Sequence, residues 1–508
     1  MATLKAQNTT ASLPEIRDDN NECHEPPCTS LKRTPLPKFQ LFIVAMIQFA
    51  EPITATVIYP FINQFVRGTG IIQGDERKTG YYAGVIQSTF FVAEALTVVY
   101  WGRASDYFGR RPVLLIGPVG LALSMLGFGL STNYWSLVVS RCMQGAFNGN
   151  IGVSKSVMAE ITDSTNVTDA FALIPVMWTF GSALGPIIGG LLAQPEKRWP
   201  DVFEKLVFFK HFPYFLPCAV AAFIALITSV FGFMGLKEAA VIRKKKRKAS
   251  EQCPTVDCTT RLLSGHNEQR YSATSPSTVE SAEPEDDLKD LTPPPLLSLL
   301  TPPVQLTLLI YGFMTFTDMG LQVLQPLVYS TSIHLGGLGF DPYRIGTIMG
   351  TWGTINATFT LICLPMLLRR FGARKIQIFT HFSYASTLAL YPVLSFLARR
   401  ADGADTFVWA VIVIQLTFAL SFSASYASIF VLLLQSTPNR ASLGAINGMA
   451  QAVGCITRAI APTVASSLFS VSLQKHLAGG NMVFLILFGI SMVGLRLTFL
   501  LPKRPAVN

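Results

Sequence analysis

The sequence predicts an all-α membrane protein of twelve transmembrane helices, arranged as two pseudo-symmetric six-helix bundles. Half of the 508 residues are hydrophobic and only 14% are charged, whereas a soluble chain of this length needs far more charge to cover its surface. Apolar runs near the roughly 20 residues that a bilayer core requires recur along the chain. One long polar stretch divides these runs into two sets of six.

In chain order the first set covers residues 39–66, 81–101, 113–131, 134–158, 171–193 and 213–236. The second covers 304–331, 343–367, 376–397, 406–434, 444–471 and 481–501. The expected layout is therefore a cytoplasmic tail (1–38), a six-helix bundle (39–236), a cytoplasmic linker (237–302), a second bundle (303–501) and a short tail (502–508). The first 38 residues are polar and contain no apolar core of a signal peptide, so no cleavable leader is expected. The linker opens with Arg243-Lys244-Lys245-Lys246-Arg247-Lys248, continues through Ser, Thr, Glu and Asp, and ends Pro-rich. That composition cannot bury a core and is expected to be disordered. Its basic run reads as a topogenic anchor or a contact for anionic lipid.

Loop charges set the orientation. Arg103, Arg110 and Arg111 follow the second run, the basic stretch follows the sixth, and Arg369, Arg370, Arg374 and Lys375 follow the eighth. In a twelve-helix count these lie on one side, together with Lys32, Arg33, Lys38, Lys503 and Arg504. The positive-inside rule places that side, and both termini, in the cytosol. The sequons at Asn8 and Asn166 then escape glycosylation. The net charge of +10 is accounted for by this anchoring and is no sign of nucleic-acid binding. Of the eight cysteines, Cys142, Cys218, Cys363 and Cys455 fall in apolar runs, where Cys acts as a small hydrophobe. Cys23, Cys28, Cys253 and Cys258 lie in segments expected to be cytoplasmic, where disulfides are rare.

Weak internal repeats link the halves. Phe371-Gly372-Ala373-Arg374-Lys375 answers Phe108-Gly109-Arg110-Arg111, with Arg369 where Asp106 stands. Tyr59-Pro60 answers Gln325-Pro326, and Pro186 answers Pro462.

Three motifs carry chemistry. Between the second and third runs stands Gly102-Arg103-Ala104-Ser105-Asp106-Tyr107-Phe108-Gly109-Arg110-Arg111-Pro112. It resembles the loop signature of the major facilitator superfamily, G-x-x-x-D-x-x-G-R-[RK]. Its glycines allow close helix approach. Asp106 can cap the third helix or pair with a neighbouring Arg, forming a latch that holds one conformation; the alternative is a topogenic patch. In the fourth run, Arg141-Cys142-Met143-Gln144-Gly145 resembles the superfamily's R-x-x-Q-G element. A buried Arg is costly and rarely idle; the resemblance implies proton coupling through a nearby carboxylate, and a structural anchor is the alternative. In the fifth run, Gly181, Gly185, Pro186, Gly189 and Gly190 form G-x-x-x-G-P-x-x-G-G. This glycine stripe permits close packing around a Pro kink, resembles the antiporter signature, and favours antiport over symport.

Intramembrane ions are the site candidates: Glu51 in the first run, Glu94 in the second, Asp318 in the seventh and Arg458 in the eleventh. The Pro60/Pro326 register sets Asp318 one residue from the counterpart of Glu51, so the two acids are expected to face each other across the pseudo-axis. Carboxylates held out of water can load and release protons near neutrality. Glu51, Glu94 or Asp318 is thus the expected proton carrier, with Glu94 and Arg141 as possible partners. A structural Asp318–Arg458 pair is the alternative, and Arg458 would also suit an anionic substrate. Cys23, His24 and Cys28 have the spacing of half a zinc site, but no second half lies nearby; a tail with incidental cysteines is the simpler reading. No metal or other cofactor is expected.

Within the superfamily the chain resembles the zinc-induced facilitator-like transporters and their fungal relatives. The likeness covers most of the first half: Trp101-Gly102 through Arg111-Pro112; Gly185 to Pro195; Trp199-Pro200 with Val202-Phe203; and Tyr214 to Cys218. Cys23 and Cys28 are similar to the subgroup's Cys-Pro-Gly-Cys tail motif, but with four intervening residues. Glu94 departs from the plant pattern, which has Arg near there. The resemblance implies a drug:proton antiporter-like activity, exporting a small organic solute, organic ion or metal chelator across the plasma or vacuolar membrane. The expected partners are a small-molecule substrate, protons and membrane lipids, with the protein a monomer. A nutrient uniporter or proton symporter is the alternative, and a transporter-like receptor signalling through 249–302 a remoter one. No nucleophile–base spacing points to an enzyme.

Overall fold

The computed structural model describes residues 36–162, 166, 170, 173–203, 205–236, 299–437 and 443–501. Cys23, His24 and Cys28, the basic run 243–248, nearly all of the linker, Asn8, Lys503 and Arg504 lie outside the described residues. Every regular element among the described residues is helical.

Among the described residues the long helices group into twelve spans. The first half contains α1 (Lys38–Thr56), α2 (Thr79–Phe108), α3 (Arg110–Gly129), α4 (in two segments, Tyr134–Asn148 and Ile151–Ile161), α5 (Leu173–Leu192) and α6 (Phe215–Gly235). The second contains α7 (Pro302–Ser330), α8 (Pro342–Phe371), α9 (Ala373–Ala401), α10 (in two segments, Thr406–Ala419 and Phe422–Ser436), α11 (Leu443–Gln474) and α12 (Met482–Leu500). Ten spans are long and apolar enough to cross a membrane on those grounds alone. The other two are α4, broken at Gly149 and Asn150, and α9, whose ends carry Arg374, Lys375, Arg399 and Arg400. The even number of spans puts the start of α1 and the end of α12 on one side, here the terminal side; the opposite is the far side.

Three apolar runs expected to be continuous are interrupted. The run 39–66 is helical only to Thr56; a turn through Pro60 follows, and then a short helix, Ile62–Gly68. Pro60 has no N–H to continue the ladder, and its ring disfavours helix in the residue before it. Its repeat partner Pro326 is absorbed within continuous α7. The breaks in α4 and α10 fall at matching depths, after segments of 15 and 14 residues. α5 runs unbroken through Pro186.

Packing repeats between the halves. α1 lies against α5 and α3 against α6; in the second half α7 lies against α11 and α9 against α12. The halves meet through α2 on α11 and α5 on α8. In lipid such association rests on close van der Waals fit and on hydrogen bonds, and small residues provide both here. Gly190 and Gly346 abut backbone to backbone, so a Cβ on Gly190 would stand 2.6 Å from the Gly346 Cα. Between α2 and α11, Ser88 Oγ accepts from the Thr463 backbone N–H (3.2 Å) and bonds its hydroxyl (2.8 Å).

Candidate functional site

At the terminal side the turn between α2 and α3 is set by Gly109, whose φ of +95° lies in the left-handed region. Asp106 does not cap α3: it lies in the last turn of α2, and Gly109 is the N-cap. It pairs with Arg110 (2.7 Å), which also binds Glu160 of α4 (3.0 Å) and Ser105. Arg111 donates to the main-chain oxygen of Phe233 on α6 (2.6 Å). Gly102 has open space where a Cβ would lie, so close helix approach is not its role in this state.

On α5 the glycine stripe faces α1. Gly181 lies on Pro52, Gly185 on Thr56 and Gly189 on Val57, while Gly190 turns to α8. The signature thus seats α1, the helix that carries Glu51, and seals one seam between the halves.

The intramembrane ions fall in two groups, one around the buried Glu51 with the half-buried Glu94, Lys155 and Arg458, the other at the buried Asp318, and Tyr426 lies near both Asp318 and Arg458. In the first, Glu51 Oε1 accepts from Asn148 Nδ2 on α4 (3.0 Å). Its charged neighbours are Glu94 of α2, Lys155 of α4 and Arg458 of α11. Three helices of the first half and one of the second converge there. Arg458 contacts its own helix at Gly454 O (3.3 Å) and Cys455 Sγ (3.9 Å), and its charge lies near Glu94, Tyr311 and Tyr426.

In the second centre Asp318 is held by three neutral donors. Tyr384 Oη of α9 donates to Oδ1 (3.1 Å), and Tyr426 Oη of α10 (2.8 Å) and Gln322 Nε2 (2.9 Å) donate to Oδ2. No described hydrogen bond or ion pair joins Glu51 to Asp318. No Asp318–Arg458 ion pair is formed among the described residues, although Tyr426, which donates to Asp318, also lies near Arg458. Asp318 instead joins α7 to α9 and α10 inside its own bundle.

Arg141 is 1% exposed, and no described contact joins it to Glu94. It donates to Gln144 Oε1 (2.6 Å), Gln87 Oε1 (3.1 Å) and Ala55 O (3.2 Å), and its guanidinium covers the Phe90 ring at 4.6 Å. Gln144 Nε2 contacts Met125 Sδ (2.9 Å), and Gly145 presses on the Phe90 backbone. The R-x-x-Q-G element is therefore a knot joining α1, α2, α3 and α4.

The far side carries a contact the motifs do not announce. Arg67, in the short helix after α1, pairs with Glu76 (2.9 Å). The two together grip the end of α7: Arg67 Nη1 donates to Ser330 O (2.8 Å), and Glu76 accepts from the Ser332 N–H (3.0 Å) and hydroxyl. Gln64 Nε2 adds a bond to Phe340 O (3.3 Å), and Arg198 stacks over Tyr343 at 3.7 Å. With the Gly190–Gly346 seam, these contacts shut the halves together at the far side.

Sequence reasoning missed Asn148, Lys155, Tyr384, Tyr426 and this latch. Lys155 had a signal, being a cation inside the apolar run 134–158. The tyrosines had none, since they lie far from Asp318 in the chain.

Two six-helix halves with polar and charged groups between them fit a membrane transporter. The chain belongs to the Major Facilitator Superfamily, whose model matches residues 41–462. It is 33% identical over 474 residues to the major facilitator-type transporter psiT2 of Psilocybe cyanescens, covering 91% of this chain and 89% of that one. It is 28% identical to the major facilitator superfamily multidrug transporter mfsB of Aspergillus fumigatus (86% and 79% covered). It is 27% identical to the Zinc Induced Facilitator 1 protein of Arabidopsis thaliana (91% of each). A solved D-xylose-proton symporter shares the fold, with a TM-score of 0.65 at 14% identity over 92% of this chain and 98% of that one. The protein is thus an integral multi-pass membrane transporter and not an enzyme. Members of its family bind small-molecule substrates and typically act as monomers.

Proposed function

We propose that this protein is a proton-coupled antiporter that exports a small organic solute from the cytosol across the plasma or vacuolar membrane, with both termini cytosolic. The observation that carries the reading is the grouping of Glu51 and Glu94 with a cation, Arg458, from the opposite half. Two carboxylates in one low-dielectric site favour sharing a proton over bearing two charges. Because Arg458 belongs to the other bundle, any rocking of the halves changes its distance to the pair. Proton load and conformation are then linked, as alternating access requires.

The clustered arginines at the terminal side support a cytosolic location for that side. The far-side latch then makes this the inward-facing state, ready to take solute from the cytosol. Export accords with the resemblance of the α5 glycine stripe to an antiporter signature and with similarity to a multidrug transporter.

The test uses purified protein in vesicles under an imposed pH gradient, with a panel of organic cations, organic anions and metal chelators. At least one solute should move against the proton flux, and Glu51→Gln and Glu94→Gln should each abolish its response to the gradient. The reading fails if both variants keep a wild-type gradient response, or if solute and protons move in the same direction.

A further inference from the structure

Two hydrogen-bond acceptors inside the first bundle are left over. Asn150, at the break in α4, donates its Nδ2 to the main-chain oxygens of Val113 and Leu114 (both 3.0 Å). This fixes the amide orientation, and its Oδ1 is buried without a partner. Gln48, one turn before Glu51 on α1, donates its Nε2 to Ser154 Oγ (3.0 Å), and its Oε1 is also unpartnered. Gln48 and Asn150 are each 5% exposed and Ser154 is 1% exposed. All three line one cavity of about 30 Å³ between α1, α3 and α4, together with Glu51 and Asn148.

A buried acceptor lacking a donor is costly, so two around one cavity mark a place that takes a donor. Glu51 is the titratable group of that lining. As a carboxylate it can only accept, which suits the amide N–H of Asn148. Once protonated it carries an O–H and needs an acceptor, which Asn148 Nδ2 cannot be.

We propose that Gln48 and Asn150 receive the protonated form of Glu51: its O–H turns from Asn148 to their carbonyl oxygens, directly or across one water. A water needs about 10–15 Å³ of such space, so the cavity admits one. The inference rests on the coupling reading above and supplies its mechanical step. The ionised acid is tied to the first segment of α4, and the neutral acid is tied to the break between the α4 segments. The other charges facing Glu51 are Glu94 from α2, Lys155 from α4 and Arg458 from α11. From α3 the cavity is faced by Leu114, Gly117, Pro118 and Leu121, none of which can take the proton.

The test needs no solute. Infrared difference spectra of the full chain in vesicles, recorded across a pH titration, should show a protonated carboxyl C=O band that Glu51→Gln removes. A Gln or Asn side-chain carbonyl should shift to lower frequency in the wild-type protein with the same pH midpoint. Gln48→Met, close in volume, should raise the frequency of the acid band. It should also move the midpoint to lower pH by about half to one unit, because an acceptor favours the protonated form. Asn150→Leu should do the same.

If Glu51→Gln removes the band while the wild-type amide shift is absent and the Gln48 and Asn150 variants leave band and midpoint unmoved, the receiving role is wrong and the coupling reading stands. If Glu51→Gln removes no band, Glu51 does not carry the proton, and the coupling reading falls at that residue along with this one.

Discussion

Arg141 carries a full charge whose described hydrogen-bond partners are all neutral, and it touches four helices through itself and Gln144. Arg141→Gln should therefore lower stability, by about 2–4 kcal/mol from the buried partners left behind. Thermal unfolding in detergent would measure this, and solute flux per folded molecule should still respond to the pH gradient. Loss of the gradient response at unchanged stability would return Arg141 to the coupling machinery. At this scale the sequence revealed which residues are charged and intramembrane but not which of them meet. The expected Glu51–Asp318 opposition relied on equating Pro60 with Pro326, yet α1 ends at Thr56 and Pro60 stands in the turn after it, while α7 continues through Pro326. A register carried across a helix break loses its angular meaning, because the two helices no longer share a phase.

At the level of elements, the apolar runs located most spans to within a few residues, since about 20 apolar residues are needed wherever a helix crosses lipid, but the run 39–66 overshot α1, which ends at Thr56. It could not reveal the breaks in α4 and α10, where composition stays apolar through the interruption. The α5 glycines were legible as a packing stripe, but their partner was not: three of them seat α1 and one meets α8. Gly190→Leu should hold the far side apart and reduce transport about tenfold or more, by overpacking a backbone-to-backbone contact. Labelling of a cysteine placed at Ser332 would report it, with faster modification in the variant than in its parent. Equal labelling rates would show that the α5–α8 seam does not govern closure.

Across the whole molecule, the expected latch lay in the 102–112 turn, and the structure adds another at the opposite end. Arg67 and Glu76 hold the end of α7 from the far side, and for the exporter reading this contact must part before solute can leave. Glu76→Gln keeps an acceptor for Ser332 but removes the charge that orients Arg67. It should shift the resting population toward the outward-facing state by severalfold, as a half-buried ion pair of this kind contributes about 1 kcal/mol. Distance measurements between spin labels on the far ends of α2 and α11 would detect the shift, and an unchanged distance distribution would remove the latch from the cycle. Deleting residues 249–300 should leave solute flux intact, because the spans and both charge centres lie outside that segment; loss of flux in a folded protein would give the linker a part in transport.

The latch takes hold of its target mainly through main-chain atoms, the carbonyl of Ser330 and the N–H of Ser332. Every residue presents those atoms, so substitutions in that stretch of α7 and the loop after it leave the grip largely unchanged. Closure at the far side is thereby insulated from mutation in the partner half. Descendants of this chain can then alter the pathway walls, and with them the choice of solute, while inheriting a working door at the far side.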